Sequence, residues 1–502
     1  MSDAATRPNV LFVVMDTVRA DHLTVYGYDR PTTPTLESFA EGARVYEQAV
    51  APAPWTLPVH ASMFTGLYPS EHGATQENPY LEGVTTLAES LSAAGYGTAC
   101  YSSNAWITPY THLTDGFDDQ DNFFQVMPGE FLSGPLARAW KAMNDSDRLR
   151  SLADWLVKAG NTVHEYLASS GGGDSKTPAA IDSTIDFVDG TDGPFFAFIN
   201  LMDAHLPYHP PDECREEFAP GVDSTAVCQN SKEYNCGARD IDDEEWDAIR
   251  GLYDAEIRHI DGELGRLFEW LRANDEWEET LVVVCADHGE LHGEHGLYGH
   301  EFCVYDPLVN VPLLVKHPDL DPGRDDRQVE LLDLYHTVLD HAGVEAGGEP
   351  LDPARSLLGE GYREFGDDGG SDGDGEFAFV EYHRPVVELR QLEGKASAAG
   401  IDLDENSRFY SRMRAARRPD AKYIRNERIA DEAYRLDADP GETRDLVATG
   451  DADEGAVAAA EAALSAFESR VGGEWDDVGE EDVLAGMGEE AKDRLQDLGY
   501  LE

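Results

Sequence analysis

Lysine is scarce in this chain, with eight residues of 502 against 30 arginines, and these 38 basic side chains face 99 acidic ones for a formal net charge of −61. Without a basic footprint there is nothing to displace counterions from phosphates, which excludes nucleic acid as a partner. Long apolar runs are missing too. No stretch of 18 apolar residues occurs, and the opening MSDAATRPNV has no basic segment followed by an apolar core. Membrane spanning and secretion are therefore not expected, and the cytoplasm is the expected compartment. Cysteine is sparse, at six. Cys100, Cys285 and Cys303 lie in or beside apolar runs and read as buried thiols. Cys214, Cys228 and Cys236 fall in a polar stretch that fits no zinc spacing, and read either as free thiols or as one disulfide with a thiol left over.

What is present is globular stock, 41% hydrophobic and 10% aromatic, so the acidity does not imply disorder and the carboxylates belong on a folded surface. Such a surface with few lysines suits concentrated salt, where the Debye length falls to about 3 Å at 1 M and self-repulsion is screened. A halophilic protein is expected; an acidic enzyme of ordinary salt is the alternative. The length exceeds what one hydrophobic core serves, which predicts a large domain and a smaller one.

The runs Val10 to Met15, Phe195 to Leu201, Leu281 to Cys285 and Pro312 to Val315 are short, continuous and rich in Val, Ile and Phe. They read as strands buried on both faces. Helical patterns over Thr35 to Tyr46, Val84 to Ala94, Trp246 to Ala273 and Glu330 to Ala342 alternate with them. This predicts an α/β fold with a doubly wound, mostly parallel sheet flanked by helices. Ser169 to Ser175 and Gly366 to Gly375 read as surface excursions. Short segments at Phe377 to Tyr382, Arg412 to Arg417, Tyr423 to Arg425 and Ala433 to Leu436 then predict a small C-terminal antiparallel sheet, and the last fifty residues look helical. The expected division is a catalytic domain over 1–365 and a C-terminal α+β subdomain over 376–502.

In open α/β sheets ligands bind beyond the carboxyl ends of the strands. Asp16 follows the first run; Asp287-His288-Gly289-Glu290 follows another, with His292, His295 and His300 close behind. Asp16 and Asp287 can each cap a helix, yet together with His288 they make an oxygen and nitrogen set suited to a divalent cation. In Trp55 to Gly66 (WTLPVHASMFTG), Thr56 reads as an N-cap, with Pro58 in the first turn and Gly66 at the end. The same geometry puts the Thr56 hydroxyl in the positive potential of a helix N-terminus, where a nucleophile or bound anion is stabilised.

The order of a buried strand ending in Asp, then T-x-P-x-H-A-S-M-F-T-G-x-Y-P-x-x-H-G, then A-D-H-G-E resembles the sulfatase family of the alkaline phosphatase superfamily. Leu332 to Gly343 and Tyr434 to Leu446 resemble its later segments. The resemblance implies an alkaline phosphatase-like catalytic domain that hydrolyses sulfate or phosphate esters with one divalent ion (Ca2+, Mn2+, Mg2+ or Zn2+). Asp16, Asp287 and His288, with Thr56, match its metal ligands. Thr56 stands where such enzymes carry the Cys or Ser oxidised to formylglycine, His60 where they carry Arg, and Thr17 where they carry a second Asp. These departures are similar to the phosphodiester-handling branches, which keeps phosphodiesterase, phosphonate monoester hydrolase and phospho-group transferase as alternatives, beside a non-catalytic anion-binding member. His205, His295 and His300 are the candidate acids by resemblance, and Asn104, His60 and Arg19 the candidate substrate contacts. The implied substrate is a small anionic ester, on a sulfated or phosphorylated glycan or a lipid headgroup.

Overall fold

Asn9–Met15 (NVLFVVM) is buried at every position and forms β1, hydrogen-bonded in parallel to two equally apolar strands, β5 (Phe195–Leu201) and β6 (Thr280–Cys285). Strands enclosed on every side have no polar face, which is why these three read as unbroken apolar runs. The computed structural model describes residues 8–75, 78–122, 175–318, 320–345, 352–359, 377–452 and 455–472. With β2 (Arg44–Val50), β3 (Gly97–Ser102), β4 (Asp119–Asn122), β9 (Asn310–Lys316) and β10 (Gly323–Glu330), the sheet has the order β10-β2-β9-β6-β1-β5-β3-β4. Only β9 runs against its neighbours. A two-stranded ribbon, β7 (Leu291–His292) with β8 (Tyr298–Gly299), follows β6. Helices flank the sheet in two groups: Pro34–Ala40, Thr177–Gly190 and Asp243–Ala273 pack together, as do Thr56–Thr65, Leu87–Ala93 and Asp333–Ala342.

Two helical expectations change. The helix expected over Thr35 to Tyr46 stops at Ala40, and Arg44 opens β2, whose residues are buried or half-buried. Glu330 ends β10, and the helix expected from it starts at Asp333.

The C-terminal strands β11 (Ala378–Tyr382), β12 (Met413–Arg418), β13 (Ala421–Asn426) and β14 (Glu432–Tyr434) form the antiparallel sheet, with an unanticipated helix, Val386–Ala399, between β11 and β12. The Ala456–Val471 helix covers it, Phe467 stacking on Phe379 at 4.3 Å. Asp306 of the main domain receives Arg417 at 2.8 Å and Lys422 at 3.0 Å, and Phe302 N–H donates to Tyr382 Oη at 2.9 Å, so the two sheets are tied by polar contacts. All six cysteines are free thiols. Among the described residues no helix is long and apolar enough to cross a membrane. Residues 169–174, Gly366 to Gly375 and the tail beyond 472 lie outside the described residues.

Candidate active site

Five parallel strands deliver side chains to one edge of the sheet. Asp16 follows β1, Thr56 comes six residues after β2, Asn104 follows β3, His205 follows β5, and Asp287-His288 follows β6. One donor atom from each of Asp16, Asp287 and His288 lies within 4.8 Å of the others, and all three residues are fully buried.

Each member is aimed by hydrogen bonds from the backbone or a neighbouring amide. Asp16 Oδ2 accepts from Asn104 Nδ2 at 2.9 Å and from Asn200 Nδ2 at 3.0 Å; Asp287 Oδ1 accepts from the N–H groups of His288 at 2.9 Å and Thr17 at 3.2 Å. The other oxygens, Asp16 Oδ1 and Asp287 Oδ2, are buried and accept nothing. His288 Nδ1 donates to the Gly289 carbonyl at 3.0 Å, which fixes the tautomer and leaves the Nε2 lone pair 3.5 Å from Asp287 Oδ2, 4.0 Å from Asp16 Oδ1 and 3.4 Å from Thr56 Oγ1.

Burial pushes the Asp287 carboxyl up to about 7 and the His288 imidazole down to about 3, and burial with the nearby Asp287 raises Asp16. Two desolvated carboxylates with unpaired oxygens and a bare imidazole nitrogen are costly as they stand, and they fit a divalent cation that accepts exactly this mixed donor set.

Thr56 is the first residue of its helix, not the cap. Trp55 precedes it in extended backbone (φ −156°, ψ 161°), and the Thr56 hydroxyl turns to His288 and to Asn104 Nδ2, at 3.3 Å, in place of the helix N–H groups. The capping residue's side chain gives those N–H groups no partner, which keeps the local potential positive. His60, one turn on, donates from Nδ1 to the Thr56 carbonyl at 2.9 Å, and burial lowers its imidazole to about 3. It supports the helix beneath Thr56 and is wholly enclosed, with its Nε2 unpartnered.

His205 and His300 face each other, with ring centres 5.1 Å apart, and the His300 ring is 4.6 Å from that of His288. His205 Nδ1 donates to the Leu206 carbonyl at 2.6 Å. His300 Nδ1 meets Glu290 Oε1 at 3.2 Å, and burial holds the His300 imidazole below its usual range.

Three expected contacts differ. His295 stacks on Tyr305 at 3.8 Å, at the tip of the β7–β8 ribbon, and is not brought to the Asp16, Asp287 and His288 group. The Arg19 guanidinium is paired with Asp21 and Glu294, both at 2.7 Å, and donates to the Glu290 carbonyl at 3.0 Å, so neighbouring acids already compensate its charge. The Asn104 amide is engaged with Asp16 and Thr56, which makes it an aligner of the cluster. Reading the sequence missed Asn200, Glu290 and Tyr253; Asn200 meets Asp16 and Tyr253 meets the Thr17 carbonyl across long stretches of chain, whereas Glu290 meets His300 ten residues on. Glu290 alone carried a local signal, its place directly after Asp-His-Gly.

A family model described as Sulfatase matches residues 8–344. The multifunctional alkaline phosphatase superfamily protein PehA of Trinickia caryophylli is 27% identical over 476 residues, covering 80% of this chain and 87% of that protein. An arylsulfatase of Clostridium perfringens is 24% identical over 374 residues, 67% of this chain and 75% of its own. In fold, the chain is similar to the phosphonate monoester hydrolase of Agrobacterium radiobacter, with a TM-score of 0.64 at 20% identity over 93% of this chain and 95% of that one.

Proposed function

The chain belongs to the sulfatase family, and from that premise we propose that it is a metal-dependent hydrolase of sulfate or phosphate esters acting through a covalent ester on Thr56. Its enzyme class is that of the sulfuric and phosphoric ester hydrolases. One observation supports the Thr56 assignment above the rest: its hydroxyl lies 3.4 Å from His288 Nε2, at a helix N-terminus, beside two buried carboxylate oxygens that have no partner.

Asp16, Asp287, His288 and Thr56 would hold one divalent ion (Ca2+, Mn2+, Mg2+ or Zn2+), and bound there it would lower the Thr56 hydroxyl pKa and offset charge on the ester oxygens. Thr56 Oγ1, its proton lost to solvent, attacks sulfur or phosphorus in line. The bond to the leaving oxygen breaks with its electron pair, and His300 or His205 delivers a proton to that oxygen. Water then cleaves the threonyl ester. Threonine has no second hydroxyl with which to expel the group by elimination, unlike hydrated formylglycine. Breakdown therefore needs an external nucleophile, which is the ground for a second reading as a phosphodiesterase, a phosphonate monoester hydrolase or a transferase to an alcohol.

The substrate is then a small anionic ester on a sulfated or phosphorylated glycan or a lipid headgroup. We read residues 1–365 as the catalytic domain and 376–502 as its subdomain. The six free thiols support a cytoplasmic enzyme and the charge of −61 a halophilic one.

The test is a panel of an aryl sulfate, an aryl phosphodiester and a phosphonate monoester at about 1 M salt, with each cation added to chelated protein. Turnover is expected to need the cation and to fall to background in Thr56→Ala, and mass spectrometry of quenched wild-type enzyme should find the transferred group on the peptide carrying Thr56. Full turnover by Thr56→Ala would place the nucleophile elsewhere, and activity indifferent to chelation would remove the cation from the reaction.

A further inference from the structure

Beside the Asp16, Asp287 and His288 cluster lies a second set of titratable groups, formed by the buried Glu290 and Glu301 and the partly buried His300 and Lys232. Glu290 is wholly buried and Glu301 nearly so. Lys232 pairs with Glu301 Oε1, so that carboxylate already has its counter-charge. Among the described residues no lysine or arginine forms a salt bridge with the Glu290 carboxylate. Its Oε1 meets His300 Nδ1 at 3.2 Å, and its Oε2, also buried, accepts nothing. The only hydrogen-bonded neighbour of this carboxylate among the described residues is therefore an imidazole.

The main chain around Glu290 is pinned from three sides. Gly289 N–H donates to the Leu308 carbonyl at 2.8 Å, and a Cβ on Gly289 would stand 1.9 Å from the Pro307 carbonyl oxygen. The Glu290 carbonyl accepts from Arg19, which Asp21 and Glu294 hold in turn. Such a mounting suits a group whose task is to orient another, because an imidazole held at one nitrogen presents the other in a fixed direction. With Nδ1 at Glu290, His300 has Nε2 for a substrate.

We propose that Glu290 is a positioning residue, which holds His300 through Nδ1 at 3.2 Å and so aims Nε2 at the leaving oxygen of the ester. This rests on the reading of His300 as the acid given above. In the step, the sulfur–oxygen or phosphorus–oxygen bond breaks with its electron pair on the leaving oxygen. The Nε2 proton moves to that oxygen, and His300 is left as a neutral imidazole still bound to Glu290 through Nδ1–H.

A leaving-group comparison on the metal-loaded enzyme tests this, because protonation matters most where the leaving oxygen is basic. Turnover of a 4-nitrophenyl ester and of the phenyl ester of the same acid group is measured for wild type, His300→Ala, Glu290→Gln, Glu290→Ala and the Glu290→Gln/His300→Ala pair. The loss on the phenyl ester is expected to exceed the loss on the nitrophenyl ester by about tenfold or more in His300→Ala and Glu290→Ala, and by less in Glu290→Gln, which keeps an oxygen acceptor for the His300 ring. The paired variant is expected to be no worse than His300→Ala, since both act through one proton. Melting temperature and metal content are read alongside, and the isosteric Glu290→Gln carries the test if Glu290→Ala does not fold. Equal losses on both esters in the Glu290 variants, or an additive loss in the pair, while His300→Ala shows the split, would overturn the role of Glu290 alone. If His300→Ala shows no split, the acid reading of His300 falls and the proposal with it; persistence of the Thr56 adduct would show that the covalent reading survives.

Discussion

Thr17 is a β-branched residue held at φ +58°, a backbone conformation that costs of the order of 1–3 kcal/mol. Three contacts hold it there: Oγ1 donates to the Ala204 carbonyl at 2.6 Å, the Thr17 carbonyl accepts from Tyr253 Oη at 2.6 Å, and its N–H reaches Asp287 Oδ1 at 3.2 Å. At about 1 kcal/mol each, such bonds offset the strain. The side chain that stands where sulfatases carry a second acid is thereby turned into the backbone, and Asp287 keeps Oδ2 for the cluster. His72 shows the same exactness away from the site. Its Nδ1 accepts from Ala74 N–H at 3.1 Å, Nε2 meets Ser62 Oγ at 3.1 Å, and burial lowers the imidazole to about 3. A histidine lowered in the fold binds fewer protons there than in the unfolded chain, so stability is intact above the unfolded value near 6.5 and is lost as pH falls toward 3. At about pH 5 this one residue should cost about 2 kcal/mol relative to pH 7. Asp261, raised by burial to about 6, works in the opposite sense, so a variant comparison is needed to isolate the effect. His72→Asn is expected to melt lower than wild type at neutral pH but to lose less between about pH 7 and pH 5 at fixed salt. Parallel melting curves across that range would remove His72 from the acid response.

The loop joining β6 to β7 passes the Asp306–Val309 helix at Gly289, which sits between the candidate ligand His288 and Glu290. With 1.9 Å from a built Cβ to the Pro307 oxygen and 3.1 Å to Arg19 Cγ, Gly289→Ala forces the loop away from that helix. The expected cost is about 1–3 kcal/mol, with weaker cation retention on gel filtration, because His288 and Glu290 move together. Wild-type melting and metal content in that variant would show that the loop yields freely. Elements of this kind mark where reading the sequence succeeds. The central strands β1, β5 and β6 were legible because enclosure on both faces demands continuous apolar residues. The strands β4 (DQDN) and β10 (GRDDRQVE) were not, since each lies at a sheet edge and owes its place to ladder bonds with a neighbour. The candidate cation group of Asp16, Asp287 and His288 was legible because Asp and His follow strand ends. The engagement of Arg19 with Glu294, 275 residues on, and of Asn104 with Asp16, 88 residues back, is a product of topology that no local pattern carries.

For the molecule as a whole, the charge of −61 opposes the proposed chemistry, because every candidate substrate is an anion. Many surface arginines are already balanced by adjacent acids, as Arg435 is by Asp437 and Arg444 by Asp451, so they add little attraction of their own. The surface field of such a protein reaches several kT and extends about 10 Å at 0.1 M salt but only about 3 Å at 1 M. The positive features of the site are short in range by comparison: a helix N-terminus, two facing histidines and the cation that the Asp16, Asp287 and His288 cluster fits. At high salt an incoming ester meets the local attraction first; at low salt it meets the whole-protein repulsion. KM for an anionic ester is therefore expected to rise about tenfold as salt falls from about 1 M to about 0.1 M, with kcat changing much less. Circular dichroism in the same buffers separates this from unfolding, and a second substrate carrying a compensating positive group on its alcohol should show a much shallower rise. A KM that stays flat for the simple anion while the spectrum stays native would mean that the surface charge does not reach the site.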